Sequence, residues 1–282
     1  MISPFSKTIW LVFMMAFIFG GCEQKYKEDV EVLASGPEPE TLGVVPDYVA
    51  RAIEAAGGPD AWMKTKELRL DCVVTFYQAD GSFYLTEQHY DFYPWSNSIR
   101  ISGREPQGEF AWQFSRGQFR VLQGANRIEA LPSAVASRCF AEVILNIMTI
   151  PARFLDQSVE FARVPDPVKL HGQWYYPISR RMKPRSLQGG QAQMAEPAAL
   201  EAVPDLSGAV FYQNRDSSLV DMLWFPRMSG GKSLMVHGYD YSEIENGAVL
   251  VPARIEIFRT DARGGSQERL VKIDCHTFRY TM

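Results

Sequence analysis

The chain has 282 residues, 46% hydrophobic and 22% charged, with a formal net charge of −4 and a pI near 5.7. That balance is globular, and an acidic chain without a long Lys/Arg cluster excludes an electrostatic nucleic-acid footprint. After residue 22 no stretch approaches the roughly 18–20 continuous apolar residues of a spanning helix, so only the N-terminus is a membrane candidate.

Residues 1–21 divide as a signal peptide does: the terminal amine and Lys7, eleven apolar residues from Ile9 to Phe19, then Gly20 and Gly21. As a helix, eleven residues cover about 16 Å, half of a roughly 30 Å hydrocarbon core. The run Phe19-Gly20-Gly21-Cys22 resembles the lipobox of bacterial lipoproteins, with Phe19 standing where that family usually carries Leu. The resemblance implies that Cys22 receives a diacylglyceryl thioether and becomes the mature N-terminus, a membrane anchor that two or three acyl chains make firm. Glu23 in place of Asp implies passage to the outer membrane, with the domain facing the periplasm. A secretory signal cut nearby, or an uncleaved anchor, are the competing readings of the same residues.

Residues 22–46 are acidic, carry Pro and Gly and lack aromatics beyond Tyr26, which reads as a flexible tether. Residues 47–282 read as a single domain. Its first element is a helix over Asp47–Ala56, with Asp47 as N-cap, Val49, Ile53 and Ala56 on one face, and Gly57-Gly58 as the stop. A short turn through "PDAWMKT" follows. The apolar period then falls to two: Leu68, Leu70, Cys72, Val74 and Phe76 alternate with polar neighbours, and Asp80-Gly81 marks a hairpin. "SNSIRISGRE", "GEFAWQFSRGQFRVLQG" and "NRIEALP" continue as short strands, with Phe110, Trp112 and Phe114 sharing one face.

One amphipathic helix interrupts them, "ASRCFAEVILNIMTI". Arg138, Glu142, Asn146 and Thr149 form its polar stripe; Cys139, Phe140, Val143, Ile144, Ile147 and Met148 cover the rest. A helix so broadly apolar must be nearly covered, and Pro151 ends or kinks it. Strands resume after residue 165: "GQWYYPIS", a hairpin turning at Asn214 to Ser218, another turning at Asn246-Gly247, and a last strand "QERLVKIDCHTFRYTM". Residues 183–208, rich in Pro, Gly, Ala and Gln, read as a long mobile insertion. The sum is a mainly β (α+β) fold: a strongly curved antiparallel sheet, or half-open barrel, of about ten strands wrapped on one or two helices.

Catalytic and metal motifs are weak. His89, His171, His237 and His276 are scattered over different strands with no HExxH spacing, and "SGGKS" at Ser229–Ser233 lacks the spacing of a phosphate loop. An envelope hydrolase would need His89 or His237 to converge with a carboxylate in a cleft. Three cysteines remain besides Cys22: Cys72, Cys139 and Cys275. "LDCVV" in the first strand and "IDCHT" in the last put Cys72 and Cys275 on the same faces as apolar neighbours. If the two strands were adjacent, the pair could be a disulfide or two small buried hydrophobes. A metal site from Cys72, Cys275 and His276 is disfavoured because neighbouring strand residues point to opposite faces. No metal or cofactor is expected.

The 17 Phe, 12 Tyr, 6 Trp and 11 Met are mostly core, yet Met-rich and aromatic concave walls also suit lipid tails. The stretch "VARAIEAAGGPDAWMKTKELRL", with the later "GAVFYQNRDSSLVDMLWF" and "GAVLVPARIEIF" hairpins, resembles the layout of envelope lipoprotein carriers, the LolA, LolB and LppX-like group. That resemblance implies a curved sheet around helices and a cavity for acyl chains between them. Candidate lining residues are Phe110, Trp112, Phe114, Phe140, Val143, Ile144, Ile147 and Met148. The expectation is therefore a lipid-anchored, non-catalytic envelope protein that holds an apolar ligand such as lipid acyl chains. The alternative is an anchored structural or interaction module with a self-packed interior.

Overall fold

Thirteen strands form one antiparallel sheet in a computed structural model that describes residues 45–126, 131, 135–156, 159–163, 166–182, 209–225, 233–244, 249–260 and 267–281. Residues 1–21, the tether up to residue 44, the 183–208 insertion, the Asn246-Gly247 turn, and most of "NRIEALP" and "SGGKS" lie outside the described residues.

Helix α1 (Asp47–Ala55) turns Val49, Ala52 and Ile53 inward. Its N-cap is Pro46 and not Asp47, which occupies the first helical turn and pairs with Arg51 at 3.2 Å on the surface. The stop is as expected: Gly57 and Gly58 take φ of 112° and 87°, and their amides bond back to Glu54 O and Ile53 O. The "PDAWMKT" turn is in fact a six-residue helix, α2 (Pro59–Lys64). Pro59 starts it with a preset φ where no amide proton is needed. Trp62 is fully buried beneath it, its Nε1 donating to Ala56 O at 2.8 Å.

The strands are β1 (Glu67–Tyr77), β2 (Phe83–Tyr93), β3 (Ser98–Glu105), β4 (Gly108–Ser115), β5 (Gln118–Gln123), β6 (Val159–Arg163), β7 (Val168–Leu170), β8 (Gln173–Met182), β9 (Val210–Asn214), β10 (Val220–Phe225), β11 (Ser233–Glu243), β12 (Leu250–Thr260) and β13 (Gln267–Thr281). Their order is β5-β4-β3-β2-β1-β13-β12-β11-β10-β9-β8-β6, with β7 also pairing β8. Each half is thus a meander, and the halves are joined where the first strand pairs with the last. The sheet is not closed. The count exceeds the expected ten partly because β6 and β7 are three to five residues long, too short to show alternation.

Between the two meanders lie α3 (Ser137–Met148) and α4 (Ile150–Phe154), broken at Thr149 ahead of Pro151. Helix α3 touches β3 and β4 on one side and β10 and β11 on the other, so the sheet curls around it. Leu68, Leu70, Cys72, Val74 and Phe76 on β1 belong to the same buried cluster as the α3 side chains. At Gly103 the absence of a side chain admits a ring: a Cβ there would sit 2.9 Å from Phe110 Cε1 and from Glu87 O. Among the described residues no helix is long and apolar enough to cross a membrane.

Candidate functional site

The eight predicted lining residues lie in one contiguous cluster. Phe110, Trp112 and Phe114 project from β4, and Phe140, Val143, Ile144, Ile147 and Met148 from α3; none is more than 3% exposed. Alternation dictates the first three and helical period the others. The Phe110 and Trp112 rings are 4.9 Å apart, Trp112 meets Phe119 edge-on at 5.7 Å, and Phe140 packs on Phe76 at 5.9 Å. Trp112 Nε1 donates to Ala125 O at 2.8 Å, so the indole is satisfied within the protein.

Polar groups of the helices turn back on themselves. Asn146 Nδ2 donates to Glu142 O and Thr149 Oγ1 to Leu145 O, both at 2.7 Å. These back-bonds silence two buried polar side chains that the sequence marked as a polar stripe. The buried Arg153 guanidinium reaches Pro94 O on the β2–β3 loop, tying α4 to the sheet. The apolar face of α3, with Phe140, Val143, Ile144, Ile147 and Met148, packs hydrocarbon on hydrocarbon, while Arg138 lies over the Phe114 ring, 6.0 Å from its centroid.

Clefts open elsewhere among the described residues. One, about 390 Å³, lies between hairpin ends and is lined by Gln78, Ser82, Phe83, Tyr84 and Glu105–Gln107; Phe83 there is 63% exposed. Another, about 600 Å³, crosses β1–β4 and is lined by Asp71, Glu87, His89, Arg100, Arg104, Glu109 and His276, among others. Beside it His89 Nδ1 lies 2.7 Å from Asp71 Oδ1 and Nε2 2.9 Å from Asp91 Oδ1. Sequence reasoning missed this trio because Asp71 and His89 meet only through the β1–β2 register. It is the convergence that a hydrolase would need, but its chemistry differs. The hydrogen bond to Asp91, aided by Asp71 and opposed by partial burial, raises the His89 pKa to about 9. With both ring nitrogens engaged by carboxylates, His89 is an imidazolium fixed in an ion cluster and not a base poised near neutrality.

A second polar group brings His237, the other histidine named from the sequence, near Asp221, which the sequence did not single out. On the sheet face turned away from the helices, Tyr175, Met222 and Met235 form a small separate core. Beside it Asp221, at the β9–β10 bulge, accepts from Asn214 Nδ2 at 3.3 Å, while its Oδ1 lies 4.0 Å from His237 Nε2 with no hydrogen-bond partner. Burial pushes the Asp221 carboxyl up to about 7 and the His237 imidazole down to about 4. Both are therefore neutral over most of that interval. The His237 ring stacks 3.9 Å from Tyr239 and lies 6.3 Å from His171 on the β7–β8 turn.

Of the cysteines, Cys72 and Cys275 are brought opposite each other in the β1–β13 ladder, and Cys139 lies buried on α3. His276 is exposed at the bulge beside Cys275. Among the described residues no group of three His, Cys, Asp or Glu is placed to hold a metal ion. Cys22 lies outside the described residues.

No family model matches the chain, and no curated protein matches its sequence. Among solved structures it is similar to the LolA superfamily protein NE2245 from Nitrosomonas europaea, with a TM-score of 0.48 and 12% identity, over 84% of this chain and 94% of that one. It is also similar to a Vibrio parahaemolyticus domain described as an outer membrane lipoprotein-sorting protein, with a TM-score of 0.40 and 8% identity, over 82% of this chain and 93% of that one. No residue role passes from either protein to this one.

Proposed function

We propose that this chain is a lipid-anchored cell-envelope protein, attached through Cys22 to the outer membrane and facing the periplasm, that holds an apolar ligand such as lipid acyl chains between its sheet and its helices, without catalysis. One observation carries the binding reading: α3 is enclosed by both arms of an open sheet, through contacts between apolar side chains. An acyl chain entering beside the apolar face of α3 replaces like with like, hydrocarbon for hydrocarbon. Adaptable residues such as Met148 suit that exchange. The anchor reading rests on the short apolar run, Gly20, Gly21 and Cys22, with residues 22–46 as the tether.

A second reading, a self-packed interaction module, is favoured by the near-zero exposure of all eight candidate lining residues. Native mass spectrometry of gently purified protein, with titration of a fluorescent fatty acid, separates the two. Co-purified lipid or saturable uptake is expected; a clean apo mass with no uptake supports the self-packed module. Labelled-palmitate incorporation in wild type and Cys22→Ser tests the anchor, and equal labelling of both would refute it.

A further inference from the structure

Among the described residues the two meanders of the sheet meet at one seam, the ladder between β1 and β13. In its register Cys72 faces Cys275, next to an irregularity at Asp71/Cys72, with Val74 opposite Ile273 on one side and Leu70 opposite Phe278 on the other. The two Sγ atoms lie 3.0 Å apart. Directly opposed residues of an antiparallel pair have Cα atoms about 4.5 or 5.5 Å apart, within the roughly 4.4–6.8 Å that a disulfide spans. The sulfurs need approach by only about 1 Å more to reach the ~2.05 Å bond.

We propose that Cys72 and Cys275 are joined by a disulfide in the mature protein, a staple that fastens the first strand of the domain to its last, while Cys139 remains a thiol. The staple has a structural task at this point. A bulge invites slippage, and a slip of one residue would carry every β13 side chain to the wrong face. A covalent link beside the bulge fixes the register of the seam on which both halves of the sheet depend. Cys139 sits on α3, on neither strand of the ladder.

The chemistry is thiol–disulfide exchange with a disulfide donor, either oxidised glutathione or the disulfide of a thiol oxidase. Cys275, the more accessible of the two, attacks as its thiolate after losing a proton to solvent. It forms a mixed disulfide and expels one donor sulfur as a thiolate. Cys72 then loses its proton and attacks Cys275 Sγ, expelling the second donor sulfur. Two thiols are oxidised by two electrons and one donor disulfide is reduced to two thiols. Burial raises the Cys72 thiol well above its usual range, so the bond forms as β13 docks, before β1 is covered. In the cell the oxidant depends on the export proposed above; in vitro it does not.

The test refolds the purified full chain with oxidised glutathione, blocks free thiols with N-ethylmaleimide in denaturant, and maps peptides by mass spectrometry. A linked Cys72–Cys275 peptide with alkylated Cys139 is expected. Thermal melting of the same sample should fall by about 10 °C when dithiothreitol is added. The Cys139→Ser variant should keep that sensitivity, and Cys72→Ser/Cys275→Ser should lose it. Alkylation of both Cys72 and Cys275 after oxidative refolding, linkage of either to Cys139 or Cys22, or a linked protein whose melting ignores reductant would each overturn the proposal. The comparison of wild type with and without reductant needs no variant to fold.

Discussion

Replacing His89 by Gln should remove a stabilisation that is present at pH 5.5 and nearly gone at pH 9.5. The imidazole lies between Asp71 and Asp91, at 2.7 and 2.9 Å, with Arg69 Nε 3.6 Å from the same Asp91 oxygen. Its pKa rises from 6.5 to about 9, chiefly through the Asp91 hydrogen bond. Because the folded state holds the proton more tightly, the contribution is complete below about pH 6.5 and is lost as pH climbs through about 9. Undiluted, that difference corresponds to about 3.4 kcal/mol at about 1.36 kcal/mol per decade. The side chain is 41% exposed, and solvent screening reduces the figure to about 1 kcal/mol. Urea unfolding of wild type and His89→Gln at both pH values reads the effect directly. Wild type should exceed the variant by about 1 kcal/mol at pH 5.5, and the gap should close by pH 9.5. A gap that is constant, or that widens with pH, would refute the assignment of His89 as a clamped imidazolium.

Asp221→Asn should act in the opposite sense. The buried carboxyl titrates near 7 in the fold, so ionising it costs stability increasingly from about pH 4 upward; the variant's advantage should grow to on the order of 2–4 kcal/mol by pH 7 and level off, as read from urea midpoints across pH. Phe140→Ala opens space against Phe76 and should lower stability by about 3–5 kcal/mol in denaturant unfolding; a loss under about 1 kcal/mol would mean the interior collapses readily around α3. Arg116 holds φ of 50° beside Gly117 in the two-residue β4–β5 turn, so Arg116→Asn should raise stability by about 0.5 kcal/mol in a thermal melt.

Alternation was enough to place Phe110, Trp112 and Phe114 on the core face, and helical period enough to enclose α3, because each pattern repeats within a single element. Adjacency set by register was harder to reach: the sequence offered Cys72 and Cys275 as a pair only on condition that their strands were adjacent, and gave no sign of Asp71 beside His89. Asp71 meets His89 across one ladder, and Cys72 meets Cys275 across another at a sequence separation of 203 positions. Pattern reading also left α2 as a turn: six residues hold too few periods, and what stabilises it is Pro59 at its start and the Trp62 anchor. The Asp47 cap failed for a similar reason, since Pro46 took the boundary and moved the carboxylate one position into the helix.

The adjacency of β1 and β13 has a consequence for biogenesis. The polypeptide emerges from its N-terminus, yet the middle of the sheet cannot close until its final fifteen-residue strand is available. Until then, one side of β1 presents unpaired amides and carbonyls, an aggregation hazard that a holding chaperone would relieve. Contacts so distant along the chain also imply slow folding. A nonsense mutation near residue 266 would strip out the keystone and not the rim, leaving two half-sheets, each with an open inner edge.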